Sequence, residues 1–260
     1  MIRYLSKVNP KALKGTALLR LDFNTEDNWR LQASLPTVRF LLRYAAKMVI
    51  VSHKGRPKPA ILSKDGRMIR FEKKFSLRHD AKKLGKLLHR PVRLIKNFNF
   101  KEIRNKISAS SDKSLFVLEN IRFLRGESAN EPELAKNLSS LADYYVNDAF
   151  AVSHRDNVSI AKVAKFLPGY AGFKLERELK SMSRLLDKPK RPLILVLGGG
   201  KAADKLRIVK NLKNKVDMVL LGGTPANTIL FLKSFDVKNS LRDKDKKDLS
   251  EIRAISNYSN

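Results

Sequence analysis

Short apolar runs alternate with longer segments of helical periodicity along most of the chain. The runs predict seven strands, over residues 17–23, 48–52, 91–95, 115–119, 144–146, 193–197 and 218–221. Strands that alternate with helices form repeated strand-helix units around a mainly parallel sheet. The pattern therefore predicts an α/β protein with a Rossmann-like parallel sheet in its first part.

Three segments between these strands have helical patterns. Residues 35–46 carry Pro36 in the predicted first turn, where its missing N–H costs nothing. Residues 77–88 place leucines on one helix face. Residues 131–141 follow Asn130, with Glu133 three residues on, and this resembles a capping box. The polar segment 54–70 is predicted to be a mobile loop.

A fourth helical segment, 172–187, lies between chain breakers. Leu175, Leu179, Met182 and Leu186 keep helical spacing there, and proline-containing segments flank it on both sides. A helix bounded in this way can rigidly join two domains. The sequence thus predicts a first domain over 1–171, a connecting helix over 172–187 and an incomplete second α/β domain over 188–260.

Composition limits the possible classes of protein. The 260 residues are 43% hydrophobic and include no cysteine, so disulfides and thiolate metal sites are excluded. No apolar stretch is long enough for a signal peptide or a membrane span, and we expect a cytoplasmic protein without a membrane partner. The net charge of +29 is spread along the chain without a nucleic-acid recognition motif, which favours a solvated basic surface over specific nucleic-acid binding.

A triple glycine follows the predicted strand 193–197. Gly198, Gly199 and Gly200 precede Lys201, and Lys205 comes four residues later, so the two lysines are expected on one helix face. Free backbone N–H groups at a helix start attract phosphate. A plain tight turn between strand and helix explains the glycines equally well.

Polar residues follow the strands of the first half and predict a second anion site. Parallel sheets hold ligands beyond the carboxyl ends of their strands. Four arginines near these ends suit phosphate and carboxylate oxygens, namely Arg30, Arg56, Arg122 and Arg155. Taken singly, Asp22 and Asn24 also fit turn positions, His53 and His154 fit structural imidazoles, and each arginine fits a solvated cation.

Six motifs occur in the order typical of the phosphoglycerate kinases, and the chain resembles that family. They span residues 19–24, 30–37, 52–57, 118–123, 146–155 and 197–205. The resemblance implies a two-domain, usually monomeric enzyme of glycolysis. Such an enzyme reversibly transfers the acyl phosphate of 1,3-bisphosphoglycerate to ADP with magnesium, giving 3-phosphoglycerate and ATP.

The resemblance also assigns roles to individual residues. It implies that Arg30 and Lys201 are catalytic, because they neutralise the moving phosphoryl group. The implied substrate-binding residues are Asp22, Phe23, Asn24, Arg30, His53, Lys54, Gly55, Arg56, Arg122, His154 and Arg155. The implied nucleotide-binding residues are Gly198, Gly199, Gly200, Lys201, Lys205, Gly222 and Gly223. No metal ligand is assigned.

The chain departs from the family pattern in three ways. Gly200 replaces a residue such as alanine, Thr224 and Pro225 replace another glycine and an apolar residue, and the family's later magnesium-aspartate segment is missing. We therefore expect a retained phosphoglycerate half-site, weak or absent transfer by this chain alone, and exposed apolar surface near 219–221 and 229–232 that invites self-association or a partner. The alternatives are a non-catalytic module that binds 3-phosphoglycerate and a basic nucleic-acid-associated protein.

Overall fold

The computed structural model describes residues 2–25, 29–187, 189–212 and 214–256. It divides into two compact units, Met1–Lys180 and Ser181–Asn260. The division falls inside the helix predicted to connect two domains, which extends over Phe173–Asp187.

The elements follow one another in the predicted alternation. The strands are β1 Thr16–Arg20, β2 Lys47–Val51, β3 Ile61–Leu62, β4 Met68–Arg70, β5 Arg93–Ile95, β6 Leu115–Leu118, β7 Tyr144–Asn147, β8 Gly169–Ala171, β9 Ile194–Leu197 and β10 Met218–Leu221. The α-helices are α1 Trp29–Tyr44, α2 Arg78–Leu88, α3 Phe100–Ser108, α4 Arg125–Ala129, α5 Pro132–Ser139, α6 Phe173–Asp187, α7 Ala202–Leu212, α8 Gly223–Leu232 and α9 Lys246–Ser256.

A six-stranded sheet in the order β5-β6-β2-β1-β7-β8 forms the centre of the first unit, and every pairing in it is parallel. Each face is covered by helices. Leu19 of β1 belongs to a core cluster with residues of α1 and α2, whereas Leu18 belongs to a second cluster with residues of α3 and α5. Burial on both faces explains why the strands read as unbroken apolar runs. The predicted α/β fold class is confirmed.

Helix α1 begins well before the predicted position, so the placement of Pro36 in a first turn is wrong. Pro36 lies inside the helix. The reason is that Leu31 and Leu35 are buried four residues apart on the face that packs against the sheet. Pro36 itself is exposed on the other side, where water can hydrate the carbonyl that loses its N–H partner.

Two other local predictions also fail. The segment 54–70 contains the antiparallel hairpin of β3 and β4, closed by a bond from the Ser63 N–H to the Arg67 carbonyl. Asn130 does not start a helix; it ends α4 in the left-handed conformation, with φ of 55°. Pro132 then begins α5, and the side chain of the preceding Glu131 makes no capping bond. Proline at a first helical position fixes the start without a side-chain cap.

The second unit contains a two-stranded parallel sheet of β9 and β10 with helices α7, α8 and α9. Leu221 packs against a small core of Ala202, Ala203, Leu206 and Ile252. Alternate residues point away from that core, as the period of a strand requires. Val196 is 72% exposed and Leu220 is 48% exposed.

The exposed apolar surface expected near 219–221 and 229–232 is present in part. Leu220, Leu230 and Phe231 are exposed, whereas Leu221 and Ile229 contact the core. Within the described ranges, no helix has the length and apolar character needed to cross a membrane.

Candidate functional site

The loops that follow β1 and β2, together with the start of α1, bring four of the predicted substrate-binding residues into direct contact. Asp22, which is buried, accepts a hydrogen bond from Nη1 of Arg30 at 3.0 Å, and its other oxygen accepts from the Asn24 N–H. Oδ1 of Asn24 accepts from the Gly55 N–H at 2.7 Å. Since β1 and β2 are parallel neighbours, their carboxyl ends meet at one edge, as the sequence predicted.

His53 is buried beside Arg20, the last residue of β1. Nη2 of Arg20 lies 2.9 Å from Nδ1 of His53, and burial followed by the charges of Arg20, Arg122 and Arg155 lowers the pKa of His53 to about 2. His53 is therefore neutral at physiological pH. Because Nδ1 accepts from Arg20, the remaining proton is on Nε2, which is buried and has no acceptor among the described residues.

Further arginines surround this imidazole. The charges of Arg122 and Arg155 both act on His53, and those of Arg155, Arg20 and Arg56 act on Arg122. Burial first, then Arg155, lowers the pKa of Arg122. Nη1 of Arg122 donates to the Gly55 carbonyl at 2.5 Å. Guanidinium groups around a neutral donor can attract an anion, and we call His53, Arg56, Arg122 and Arg155 the arginine cradle.

Three of the predicted substrate-binding residues have other surroundings. The ring of Phe23 is buried in the apolar core, and its N–H donates to Ser52. Nζ of Lys54 pairs with Asp80 at 2.9 Å. His154 is exposed, and no contact of its side chain places it with the arginine cradle. The residue types of Phe23, Lys54 and His154 and their positions in the sequence do not show that these residues, unlike His53, lie outside the arginine cradle.

Sequence reasoning missed the buried network behind the arginine cradle. Nε of Arg20 donates to Oγ of Ser159 at 3.0 Å, and that hydroxyl donates to Glu127 at 2.6 Å. Tyr145 donates to the Ser159 carbonyl at 2.8 Å. The one available signal was an arginine inside an otherwise apolar strand, because a buried charge requires partners. This network holds Arg20 against His53 and so fixes the proton on Nε2.

Two glycine segments of the second unit lie against each other because β9 and β10 are paired. The Gly222 N–H donates to the Leu197 carbonyl, and a Cβ on Gly223 would lie 3.4 Å from the Gly199 nitrogen. Gly199 has a φ of +102°, which strongly favours glycine. A Cβ on Gly200 or Gly222 would meet no described atom within 4 Å. The open side of this turn leaves space for a ligand.

The start of α7 differs from the expectation of free N–H groups. Oδ2 of Asp243 accepts from the N–H groups of Ala202 and Ala203 at 2.8 and 3.1 Å, so a carboxylate of the chain itself already caps the helix. Lys201 precedes the helix and is exposed, while Lys205 lies in its first turn and is half-buried.

We expect Asp243→Ala to lower the stability of the second unit by about 0.5 to 2 kcal/mol, the usual effect of losing a helix cap. Hydrogen exchange at the Ala202 and Ala203 amides should accelerate, because both lose their acceptor. Asp243→Asn, which keeps an oxygen acceptor, is the matched control and should retain most of the protection. Unchanged exchange in the alanine variant would contradict the capping role.

Comparisons with known proteins identify the family of the chain. The family model described as phosphoglycerate kinase matches residues 11–259, which is most of the chain. The chain belongs to the phosphoglycerate kinase family. Solved phosphoglycerate kinases from Coxiella burnetii and Pyrococcus horikoshii superpose with TM-scores of 0.80 at 30% and 31% identity, over 99% of this chain and 63% and 64% of theirs.

Curated phosphoglycerate kinases show the same partial coverage. The protein of Dictyoglomus turgidum is 40% identical over 246 residues, and that of Moorella thermoacetica is 37% identical over 243 residues. The match covers 92% and 90% of this chain but 59% of each relative. The chain thus spans about three fifths of these phosphoglycerate kinases.

Proposed function

We propose that the arginine cradle binds 3-phosphoglycerate and 1,3-bisphosphoglycerate, and that the protein takes part in phosphoryl transfer between 1,3-bisphosphoglycerate and ADP. The observation that carries this proposal is the buried Nε2–H of His53, kept neutral between Arg20, Arg122 and Arg155. A neutral donor surrounded by guanidinium groups suits a small acid that carries several anionic oxygens. The family names of the relatives support the same substrates.

The proposed chemistry requires no protein base. An oxygen of the ADP β-phosphate attacks the acyl phosphorus; a new P–O bond forms, the bond to the acyl oxygen breaks, and 3-phosphoglycerate leaves as a carboxylate. The nucleophile is an ADP phosphate oxygen in this direction and the carboxylate of 3-phosphoglycerate in the reverse direction, and both are ionised near neutral pH. Positioning and charge neutralisation therefore dominate, as in other phosphoryl transfers. We assign the neutralising charges to Arg30 and Lys201, and the nucleotide phosphates to the glycine turn with Lys205.

Among the described residues, no group of three or more histidine, aspartate or glutamate side chains is arranged to hold a metal ion. We therefore derive no step through magnesium.

We also propose helix α6 as the connection between the phosphoglycerate-binding and the nucleotide-binding parts of the chain.

Arg122→Ala tests the arginine cradle. We expect its affinity for 3-phosphoglycerate, measured by calorimetric titration, to fall about ten- to a hundredfold, since charge-assisted hydrogen bonds contribute about 1.5 to 3 kcal/mol each. Arg104→Ala is the matched control, because Arg104 is an exposed arginine on α3. A similar loss in both variants would indicate general attraction to a basic surface and would contradict the proposed site.

Turnover is measured separately from binding, with ATP and 3-phosphoglycerate as substrates. If Lys201→Ala abolishes turnover but leaves the affinity for 3-phosphoglycerate unchanged, the result supports the transfer role assigned to Lys201. Binding to the unaltered chain without any turnover would instead favour the non-catalytic binding module.

A further inference from the structure

The first unit contains a second basic cavity, of about 630 Å³. Its lining comes from Met68 of β4, from the segment 71–76 that follows this strand, from α2 and from the loops after β2, β5 and β6. The basic members are Lys54, Lys73, Lys74, Arg78, Lys82 and Lys96. Arg56 and Arg122 of the arginine cradle line a separate cavity of about 420 Å³, and the two cavities share no residue.

The positive charge of this cavity is largely unpaired. Lys54 pairs with Asp80, and Lys74 lies 3.8 Å from Glu72. For the other four cations, no carboxylate of the described chain lies within 4.0 Å; they are Lys73, Arg78, Lys82 and Lys96.

The single carboxylate in the lining accepts hydrogen bonds from neighbouring groups of the protein. Glu119 is buried and accepts hydrogen bonds from Oγ of Ser76 and the N–H groups of Leu77 and Asn120, at 2.7 to 2.8 Å. These bonds hold the start of α2 against the loop after β6. Glu119 is therefore a structural anchor in the lining, and among the described residues it forms no ion pair with the surrounding lysines.

One part of the wall is apolar. Met68 and Phe71 are half-buried in the lining, and the ring of Phe71 is fixed by an edge contact with Phe123, with ring centroids 5.4 Å apart. Ligand cavities typically have volumes of about 300 to 1,000 Å³ and combine apolar surface with a few charged groups. The cavity thus has the size and the mixed lining of a site for an organic anion.

We propose that this cavity is a second ligand site, which binds an organic polyphosphate. Its phosphate groups contact Lys73, Arg78, Lys82 and Lys96, and its apolar part lies against Met68 and Phe71. A ligand with several phosphates suits this lining because four cations without an ion pair face one cavity, and Lys and Arg form charge-assisted bonds with phosphate oxygens. The site is independent of the proposed transfer function, since no residue of the arginine cradle lines it.

Calorimetric titration of the whole chain with inorganic tripolyphosphate, without magnesium, tests the role of the four cations in the second basic cavity. The double variant Lys82→Gln with Lys96→Gln should weaken binding about tenfold or more, because two charge-assisted contacts are lost. The matched control is Lys86→Gln with Lys101→Gln, which removes the same charge from exposed positions of α2 and α3 outside the cavity. All four side chains are exposed, so neither variant should affect folding. An equal loss in both variants would overturn the proposal.

Two further measurements locate the ligand and test its organic part. Arg122→Ala should bind tripolyphosphate with unchanged affinity; a loss comparable to that of the cavity variant would place the anion in the arginine cradle and overturn the proposal. In a Lys201→Ala, Lys205→Ala background, which removes the proposed nucleotide contacts, ATP should bind more tightly than tripolyphosphate. Equal affinity would contradict the role assigned to Met68 and Phe71.

Discussion

Replacing Arg20 with methionine is expected to lower the free energy of unfolding of the first unit by about 3 to 5 kcal/mol, the usual effect of removing one partner from a buried charged pair. Arg20 is 2% exposed and is the last residue of β1. Its guanidinium is linked through Ser159 to Glu127, which is also buried. Burial raises the pKa of Glu127 and the charge of Arg20 opposes that rise, so the variant leaves an unbalanced carboxylate.

Urea unfolding, followed by circular dichroism and by the fluorescence of Trp29, measures this loss. Trp29 is the only tryptophan and lies in the first unit, so its signal reports on that unit. The control is a double-mutant cycle with Glu127→Gln. The double variant should be more stable than the sum of the single losses predicts, by more than about 1 kcal/mol, because the neutral amide no longer needs a counter-charge. Additive losses would contradict the coupling.

The same substitution should change His53. Arg20 is the strongest electrostatic influence on the imidazole after burial, and it fixes the tautomer through Nδ1. Without it, we expect the pKa of His53 to rise from about 2 towards its ordinary range and the proton to distribute over both nitrogens. Nitrogen chemical shifts of the ring measure both effects. Arg20 is thus a positioning residue, and a purely structural role would leave the tautomer unchanged.

The sequence is sufficient to predict those parts of the site that depend on strand order. Asp22, His53 and Arg122 each follow a buried strand, and parallel pairing brings the ends of β1, β2 and β6 to one edge. The same reasoning cannot identify Arg20 as a site residue, because its partners Ser159 and Glu127 are distant in the chain and have no distinctive spacing.

Tertiary contacts also decide the caps that local reasoning misassigned. Asp243 caps α7 from about 40 residues away, and no pattern within the helix indicates that partner. Asn130 and Glu133 resemble a capping box, yet Pro132 decides where α5 starts. The strands β3 and β4 are too short for a periodicity signal, although Met68 of β4 lines the second basic cavity. Local propensity is a weak guide wherever a distant side chain supplies the hydrogen bond.

Asp148 is expected to make the first unit less stable as the pH rises from about 4 to 7. Burial raises the pKa of Asp148 from 3.8 to about 6, partly opposed by hydrogen bonds such as that from the Leu175 N–H. Between these two values the folded state binds more protons than the unfolded state, so the free energy of unfolding falls with increasing pH. A difference of about two pKa units corresponds to about 3 kcal/mol, lost once the pH exceeds 6.

Ionisation of Asp148 lowers the stability of the first unit, but the same carboxylate anchors helix α6. Oδ1 of Asp148 accepts from the N–H groups of Lys174 and Leu175, at 2.9 and 3.1 Å, and Gly172 permits this approach because a Cβ there would lie 2.4 Å from the same oxygen. Asp148→Asn keeps an oxygen acceptor without the ionisation. Its stability, measured by urea unfolding from pH 4 to 8 with Trp29 as the probe, should exceed that of the unaltered chain increasingly above pH 5. Parallel stability curves of Asp148→Asn and the unaltered chain would show that Asp148 does not titrate in this range. Asp148→Ala is the second comparison. Equal destabilisation of the asparagine and alanine variants at all pH values would show that the amide cannot replace the carboxylate as the anchor.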